Sequence, residues 1–370
     1  MSKIKVIVSG GGTGGHIFPA IAIADSIKNR YPDADILFVG ANNRMEMERV
    51  PLAGYPIVGL DVAGFYRTQL WRNFGVLLKL RKSLKRAKKT IKDFKPNIVI
   101  GVGGYASGPT LKQANRLGIP TLIQEQNSYA GITNKLLAKG ATKICVAYEG
   151  MEKFFPADKV VVTGNPFRQS LLNKDITREQ AAEYFKLDPT KKTILVVGGS
   201  LGAGTINQSM LGGLDKLIAD GIQVIWQCGK NYIFDLKIEL KHKTDPSEIY
   251  LYEFIDRMDL AYKIADLVIS RAGAGSISEL SLLGKPTILI PSPNVAEDHQ
   301  TKNAQALVER DAALMVEDSQ ASEKMVDIAL ETINSDERLA MLSANIKKMA
   351  FPGATDKITD EIVKIIEQNK

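Results

Sequence analysis

A short β-branched run, Lys3 to Val8, feeds the stretch Ser9-Gly10-Gly11-Gly12-Thr13-Gly14-Gly15-His16, and a helical pattern follows from Phe18 to Arg30. No other feature limits the fold as tightly. A strand, a glycine turn and a helix in that order belong to a layered α/β architecture. Glycines let the backbone close on an oxygen-rich ligand. The helix start adds unpaired N–H groups and the positive end of the helix dipole. The turn is therefore built to meet an anion. His16, one of three histidines in the chain, stands at that helix start.

Gly10, Gly12 and Gly15 also fit the dinucleotide spacing G-x-G-x-x-G. A nicotinamide-type site further needs an acid at the end of the second strand, to hold a ribose. That strand ends in Ala41-Asn42-Asn43, and the first acid beyond it is Glu46. A dehydrogenase is discounted on this ground. A turn that only packed strand against helix would leave Thr13 and His16 without a reason.

The rest of the first half alternates β-rich runs with helical patterns. Strands are expected at Ile36–Gly40, Ile57–Leu60, Ile98–Gly101, Thr121–Gln124, Lys143–Val146 and Val160–Thr163. Such alternation predicts parallel strands with crossover helices. Gly164-Asn165-Pro166 is a turn, and the domain junction is placed there, as expected for a chain of about two to three domains by length. A second unit opens with the strand Thr193–Val197 and repeats the glycine device in Gly198-Gly199-Ser200-Leu201-Gly202-Ala203-Gly204. Further strands are expected at Gln223–Gln227, Tyr250–Glu253, Leu267–Ser270, Thr287–Ile290 and Ala313–Val316. A third glycine turn, Arg271-Ala272-Gly273-Ala274-Gly275-Ser276, precedes a helix from Ile277 to Leu283. Past the break at Phe351-Pro352-Gly353, Ile358, Ile362, Ile365 and Ile366 fall near helical spacing, so a tail helix must bury one face.

No apolar run approaches the ~20 residues of a membrane span. The N-terminus passes straight into the first strand, so no signal peptide is expected. Cys145 and Cys228 lie in apolar runs and read as reduced core residues. The net charge of +7 points to an anionic partner. Much of it sits between Arg67 and Lys95, where a dense series of Lys and Arg meets the single acid Asp93. Leu77, Leu80, Leu84, Ile91 and Phe94 are expected to line a core face there. Trp71, Phe74 and Leu78 do not all fit on it. A basic face with an aromatic–apolar tip (Trp71, Phe74, Leu78, with Lys79, Arg81 and Lys82) suits an anionic membrane surface. A solvated helix face is the ordinary alternative. No nucleic-acid module is recognisable, and nucleic acid is not expected as a partner.

Many sugar-nucleotide transferases hold a metal on a D-x-D pair. The one such string, Asp33-Ala34-Asp35, precedes the second strand and so falls at the edge opposite the glycine turns. It is read as turn residues, and no metal or other cofactor is expected. Helix N-termini and an arginine meet a developing diphosphate charge without one.

Six strings follow one another along the chain: Gly11-Gly12-Thr13-Gly14-Gly15-His16, Gly103-Gly104-Tyr105, Glu125-Gln126-Asn127, Gly164-Asn165-Pro166-x-Arg168, Gly198-Gly199-Ser200-x-Gly202-Ala203 and Ser278-Glu279. In this order they resemble the MurG family of peptidoglycan N-acetylglucosaminyltransferases. The resemblance spans nearly the whole chain. It implies an α/β GT-B fold, two Rossmann-like doubly wound domains facing across a cleft. Residues 1–166 would form the acceptor and membrane domain, with 351–370 packing back on it, and 167–350 the donor domain. It implies inverting, metal-independent transfer from UDP-N-acetylglucosamine to the C4 hydroxyl of the muramyl sugar of lipid I, giving lipid II. It also implies peripheral attachment at the cytoplasmic face of the bacterial inner membrane, with cell-wall synthesis or division proteins as partners.

Residue by residue, the resemblance gives Arg168 and Ser200 to the diphosphate and the backbone of Ile255 to uracil. Gly273, Ala274, Gly275, Ser276, Ile277 and Ser278 would form the phosphate and sugar turn, and Glu279 would hold the ribose hydroxyls. Gln300 and Asn303 would reach the N-acetylglucosamine hydroxyls. Thr13, Gly14, Gly15 and Asn127 would line the donor sugar from the other side, and the Gly10–Gly15 turn would also hold the acceptor diphosphate. Tyr105 would position acceptor. His16 suits the general base by position and chemistry, with Glu125 as the rival. Gln124 stands where the family usually has histidine, Leu201 where it usually has glutamine, and Ala272 and Gly275-Ser276 where it has Ser and Leu-Thr. Two other readings are a UDP-N-acetylglucosamine 2-epimerase of the same fold and a non-catalytic membrane scaffold that binds a UDP-sugar.

Overall fold

The computed structural model describes residues 3–64, 73–168, 171, 175–199, 201–243, 248–295 and 298–369. Trp71 and Ser200 therefore lie outside the described residues, as do Arg67 and Arg72. The chain divides into two compact units, residues 1–168 with 351–370, and residues 169–350.

The first unit holds β1 (Lys5–Ser9), β2 (Asp35–Ala41), β3 (Ile57–Leu60), β4 (Ile98–Gly101), β5 (Thr121–Glu125), β6 (Lys143–Val146) and β7 (Val160–Val162). Its helices are α1 (Gly14–Arg30), α2 (Glu46–Leu52), α3 (Asn73–Phe94), α4 (Ser107–Arg116) and α5 (Ile132–Leu137). The strands form one parallel sheet in the order β3-β2-β1-β4-β5-β6-β7. Val6 of β1 lies beside Ile36 on one flank and Ile98 on the other. Both faces are covered, which is why these strands are apolar throughout rather than alternating. Val6 and Val8 face a core shared with Ile17, Ile23 and Ile27 of α1, whereas Ile7 faces Ile91 of α3 and Leu111 of α4.

The second unit holds α6 (Arg178–Phe185), β8 (Thr193–Val197), α7 (Gly204–Ala219), β9 (Gln223–Gln227), α8 (Ile233–Lys243), β10 (Ile249–Tyr252), α9 (Met258–Ile264) and β11 (Leu267–Ser270). It continues with α10 (Ala274–Leu283), β12 (Thr287–Leu289), α11 (His299–Val308), β13 (Leu314–Met315), α12 (Ala321–Ile333) and α13 (Asp336–Lys348). Its sheet is parallel in the order β10-β9-β8-β11-β12-β13. Renumbered from its own first strand, that is 3-2-1-4-5-6, the doubly wound order of dinucleotide-binding folds. Ile194 and Val196 pack to one side of the sheet and Leu195 to the other.

The last helix, α14 (Ala354–Gln368), belongs to the first unit. Ile358, Ile362, Ile365 and Ile366 enter the core of Val6, Val8 and α1, and Thr359 donates to Ser26 at 2.9 Å. Burial of such a side chain stabilises by roughly 1.5–3 kcal/mol.

Helix α3 departs from the expected pattern at one position. Its inner line runs through Val76, Ser83, Ala87 and Ile91, all buried, with Leu80, Leu84 and Phe94 half-buried. Leu77, expected on that face, is 49% exposed. The small residues Ser83 and Ala87 carry the inward stripe, so Val76 takes the core place and Leu77 is turned outward with the cations.

Candidate functional site

In the first unit the strand order reverses between β1 and β4, and the loops at the C-terminal ends of the strands gather there. Helix α1 starts at Gly14, four residues before the expected Phe18. Gly14, Gly15 and His16 are thus its first turn; the His16 N–H donates to the Thr13 carbonyl (3.1 Å), and those of Gly14 and Gly15 have no partner within the helix. His16 is half-buried, and its Nδ1 lies 3.0 Å from Oε1 of Gln126, in the loop after β5. The loop after β4 closes on the same ring. A Cβ at Gly103 would stand 2.8 Å from His16 Cε1, and one at Gly104 would stand 2.3 Å from the Gly11 carbonyl oxygen. Both glycines have positive φ, 94° and 83°. Only glycine fits this approach.

Glu46 is the acid that seemed too late in the sequence to serve a ribose. At the start of α2 it folds back, buried, onto the turn. Its carboxylate accepts from the backbone N–H of Gly12 (2.9 Å) and of Ala41 (2.9 Å). Two N–H groups of the Gly10–Gly15 turn are therefore spent inside the protein, that of Gly12 here and that of Gly10 on the Val39 carbonyl (3.3 Å).

Glu125 is buried and saturated. Oε1 accepts from the backbone N–H and side-chain amide of Asn127 (3.1 and 3.2 Å), and Oε2 from Gly131 N–H (2.9 Å) and the Asn134 amide (2.8 Å). These four donors hold the 127–134 loop in place. Asn127 is thereby turned towards Glu125, and Thr13 and Gly15 are exposed. Tyr105 is 55% exposed, with its hydroxyl against Gly64. Arg168 belongs to this unit, two residues beyond the expected junction. Its guanidinium lies 4.9 Å from the Phe18 ring centroid, and that ring packs on Gly14.

In the second unit the reversal falls between β8 and β11. Gly198 and Gly199 follow β8, and Gln227 ties them to the loop after β10: its amide donates to the Gly199 carbonyl (3.0 Å) and accepts from the Ile255 N–H (3.2 Å). Helix α10 starts at Ala274, three residues before the expected Ile277, with Gly273 as its N-cap. A Cβ at Gly275 would meet nothing within 4 Å, so this helix start faces open space. Ser278 donates to the Ala274 carbonyl (2.9 Å), and Glu279, half-buried, accepts from Tyr262 (3.2 Å). Gln300 accepts from Ser292 N–H (2.9 Å). Asn303 is fully buried and donates to the Ala272 carbonyl (3.4 Å), so it braces the turn from behind. Arg271 is held on the Ile290 and Pro291 carbonyls (3.1 and 3.2 Å) and on Asp318. Neither Gln227 nor Tyr262 was singled out in the sequence; each sits in an ordinary-looking element, and only the fold brings it to the site.

Away from these turns, Asp35 pairs with Lys3 (2.7 Å) at the start of β2. Among the described residues no group of His, Cys, Asp or Glu side chains is placed to hold a metal ion. On the outer face of α3, Phe74 is 71% exposed and Leu78 48%, beside exposed Lys79, Arg81 and Lys82. No described helix is long and apolar enough to cross a membrane.

Fold and site together define a glycosyltransferase built on two Rossmann-like units. Residues 6–146 match the glycosyltransferase family 28 N-terminal domain, and residues 193–358 match the family 28 C-terminal domain. The UDP-N-acetylglucosamine--N-acetylmuramyl-(pentapeptide) pyrophosphoryl-undecaprenol N-acetylglucosamine transferase of Parabacteroides distasonis is 62% identical over 100% of both chains. The crystal structure of Acinetobacter baumannii MurG aligns with a TM-score of 0.74 at 29% identity, over 98% of this chain and 99% of that one. The structure of a UDP-GlcNAc 2-epimerase from Neisseria meningitidis aligns with a TM-score of 0.69 over 98% of this chain and 100% of that one. At 15% identity that likeness is one of fold alone. The chain belongs to the MurG family of N-acetylglucosaminyltransferases, within glycosyltransferase family 28.

Proposed function

We infer that this chain transfers N-acetylglucosamine from UDP-N-acetylglucosamine to the C4 hydroxyl of the muramyl sugar of lipid I, with inversion. The observation that carries the mechanism is the contrast between the two carboxylate and imidazole candidates. Glu125 has every strong acceptor direction occupied by four donors, whereas His16 has one nitrogen engaged and stands at an exposed helix start. His16 is the base. It takes the C4 hydroxyl proton as that oxygen attacks the anomeric carbon, and the bond to UDP breaks with its electron pair leaving on the diphosphate. The open N-terminus of α10, from Gly273 to Ser276, receives the donor phosphates; the family resemblance assigns Arg168 and Ser200 to the same diphosphate. Glu279 accepts from the ribose hydroxyls. Ile255 has its N–H spent on Gln227, so its contact with uracil is made through the carbonyl. Gln300 reaches the sugar, Ile277 and Ser278 shape the turn, and Asn303 acts by holding Ala272. Thr13, Gly14, Gly15 and Tyr105 line the sugars, and Asn127, with its amide N–H on Glu125, acts by fixing the loop after β5 beside them.

The outer face of α3, Phe74, Leu77, Leu78, Lys79, Arg81 and Lys82, rests on an anionic membrane surface where the lipid substrate resides. Phe74→Ser with Leu78→Ser should reduce sedimentation with phosphatidylglycerol vesicles, and added salt should weaken what remains by screening. Binding indifferent to both would count against this face.

The deciding measurement is UDP release from UDP-N-acetylglucosamine with and without a lipid I analogue, in EDTA. Acceptor-dependent release supports a metal-free transferase. Conversion of the donor alone would favour an epimerase, and silence in both a binding protein.

A further inference from the structure

His16 is the end of a buried chain of amides whose polarity is set one link at a time. Asn165 Nδ2 donates to the Gln126 backbone carbonyl (3.0 Å), which turns Asn165 Oδ1 towards Gln124 Nε2 (3.1 Å). The other end of the Gln124 amide, Oε1, then accepts from Gln126 Nε2. That same Nε2 lies 2.8 Å from the Val102 carbonyl oxygen and 3.3 Å from the Gln124 carbonyl oxygen. Turning the Gln126 amide round would set an oxygen against three oxygens. The partners alone therefore fix its orientation. Gln126 Oε1 is left facing His16 Nδ1 at 3.0 Å, where only a proton on Nδ1 makes a hydrogen bond.

We propose that Gln126 is a positioning residue that holds His16 in the Nδ1–H tautomer and so keeps the Nε2 lone pair for the acceptor hydroxyl; the catalytic part of this rests on His16 being the base. Gly103 limits the ring from the side, since its absent Cβ would stand 3.0 Å from Nδ1. When Nε2 takes the proton, Nδ1–H becomes a charged donor and its bond to the amide oxygen strengthens. The wrong tautomer would present an N–H to the hydroxyl and accept nothing. Gln124 stands where the family resemblance expects histidine. With an amide there, the relay contains no second imidazole whose own tautomer would need setting.

The chain has only three histidines, so the test is direct. The full chain is labelled with 15N-histidine, and the His16 signals are assigned by their loss in His16→Gln. At alkaline pH, with the ring neutral, a single form with the proton on Nδ1 is expected. In Gln126→Met, which keeps the length and removes the acceptor, that single form should give way to a mixture. Its kcat should fall about 10- to 100-fold, inside the ~10²–10⁴ that a general base supplies, with KM for UDP-N-acetylglucosamine little changed. An Nε2–H form or a mixture in the unmodified chain overturns the proposal whether or not Gln126→Met folds. So does an unchanged tautomer in folded Gln126→Met. Normal turnover in His16→Ala would instead remove the base reading and leave the tautomer as measured.

Discussion

In the first unit the loop after β4 presses on the turn after β1, so that Cβ atoms at Gly103 and Gly104 would stand 2.8 and 2.3 Å from the His16 ring and the Gly11 carbonyl. In the second unit the loop after β11 is braced from behind through Arg271 and Ala272, but its glycines are open: a Cβ at Gly275 has no neighbour within 4 Å, and one at Gly273 has only the Ser276 hydroxyl at 3.9 Å. The two sheets share a strand order around this point. The first turn also has a carboxylate, Glu46, folded against it; at the second, Glu279 stands further along the helix. One switch point is closed around a titratable ring, and the other is left open at a helix start. The same topology thus serves two tasks, because the side chains of neighbouring loops decide whether the N–H groups are filled from within or left for a ligand.

The comparison is broken most severely if His16→Ala is harmless. Its kcat should fall by about 10²–10⁴, the usual worth of a positioned general base. UDP-N-acetylglucosamine binding by calorimetry should be unchanged, since His16 belongs to the closed turn. Gly103→Ala comes next. The new methyl must displace the ring from a backbone already at φ 94°, and kcat should drop on the order of 10–100-fold. Glu279→Ala addresses the open turn: the lost charge-assisted bonds, about 1.5–3 kcal/mol, should raise KM for the donor roughly 10- to 100-fold, with kcat less affected. The smallest change sharpens the contrast. Gly275→Ala has room in the free protein, and alanine favours a helix by about 0.8–1 kcal/mol over glycine, so Tm should not fall. Donor affinity should still weaken several-fold as the methyl enters the phosphate space. A drop in Tm with unchanged affinity would mean that the open turn is not the phosphate site.

The sheets were legible because buried parallel strands announce themselves. The runs at Ile57–Leu60, Ile98–Gly101, Lys143–Val146, Thr193–Val197, Gln223–Gln227 and Leu267–Ser270 hold their expected limits, and the other strands shift by a residue or two. Glycine turns were legible too, but their helices begin earlier than the apolar pattern suggests, because Gly14–Gly15 and Ala274–Ser276 give no periodic signal. Helix α2 escaped, since it is short and holds Pro51. The roles of Glu46, Gln126 and Asn303 were hidden for a different reason. Each depends on a partner brought near by folding, and a buried amide or carboxylate looks the same in sequence whether it meets a ligand or a backbone N–H. Leu77 was misplaced because the inward stripe of α3 runs through a serine and an alanine.

The return of α14 to the first unit has a consequence for how the chain is made. Ile358, Ile362, Ile365 and Ile366 complete a core begun by Val6 and Val8, so the residues that close this hydrophobic layer leave the ribosome only after the whole of the second unit. Residues 169–350 emerge whole before then and have their own sheet and core. During synthesis the second unit is finished first, while the unit bearing His16 waits with one face of its sheet uncovered. A stop codon near residue 351 would yield a chain with an intact second unit and a first unit exposing the surface that chaperones and proteases recognise.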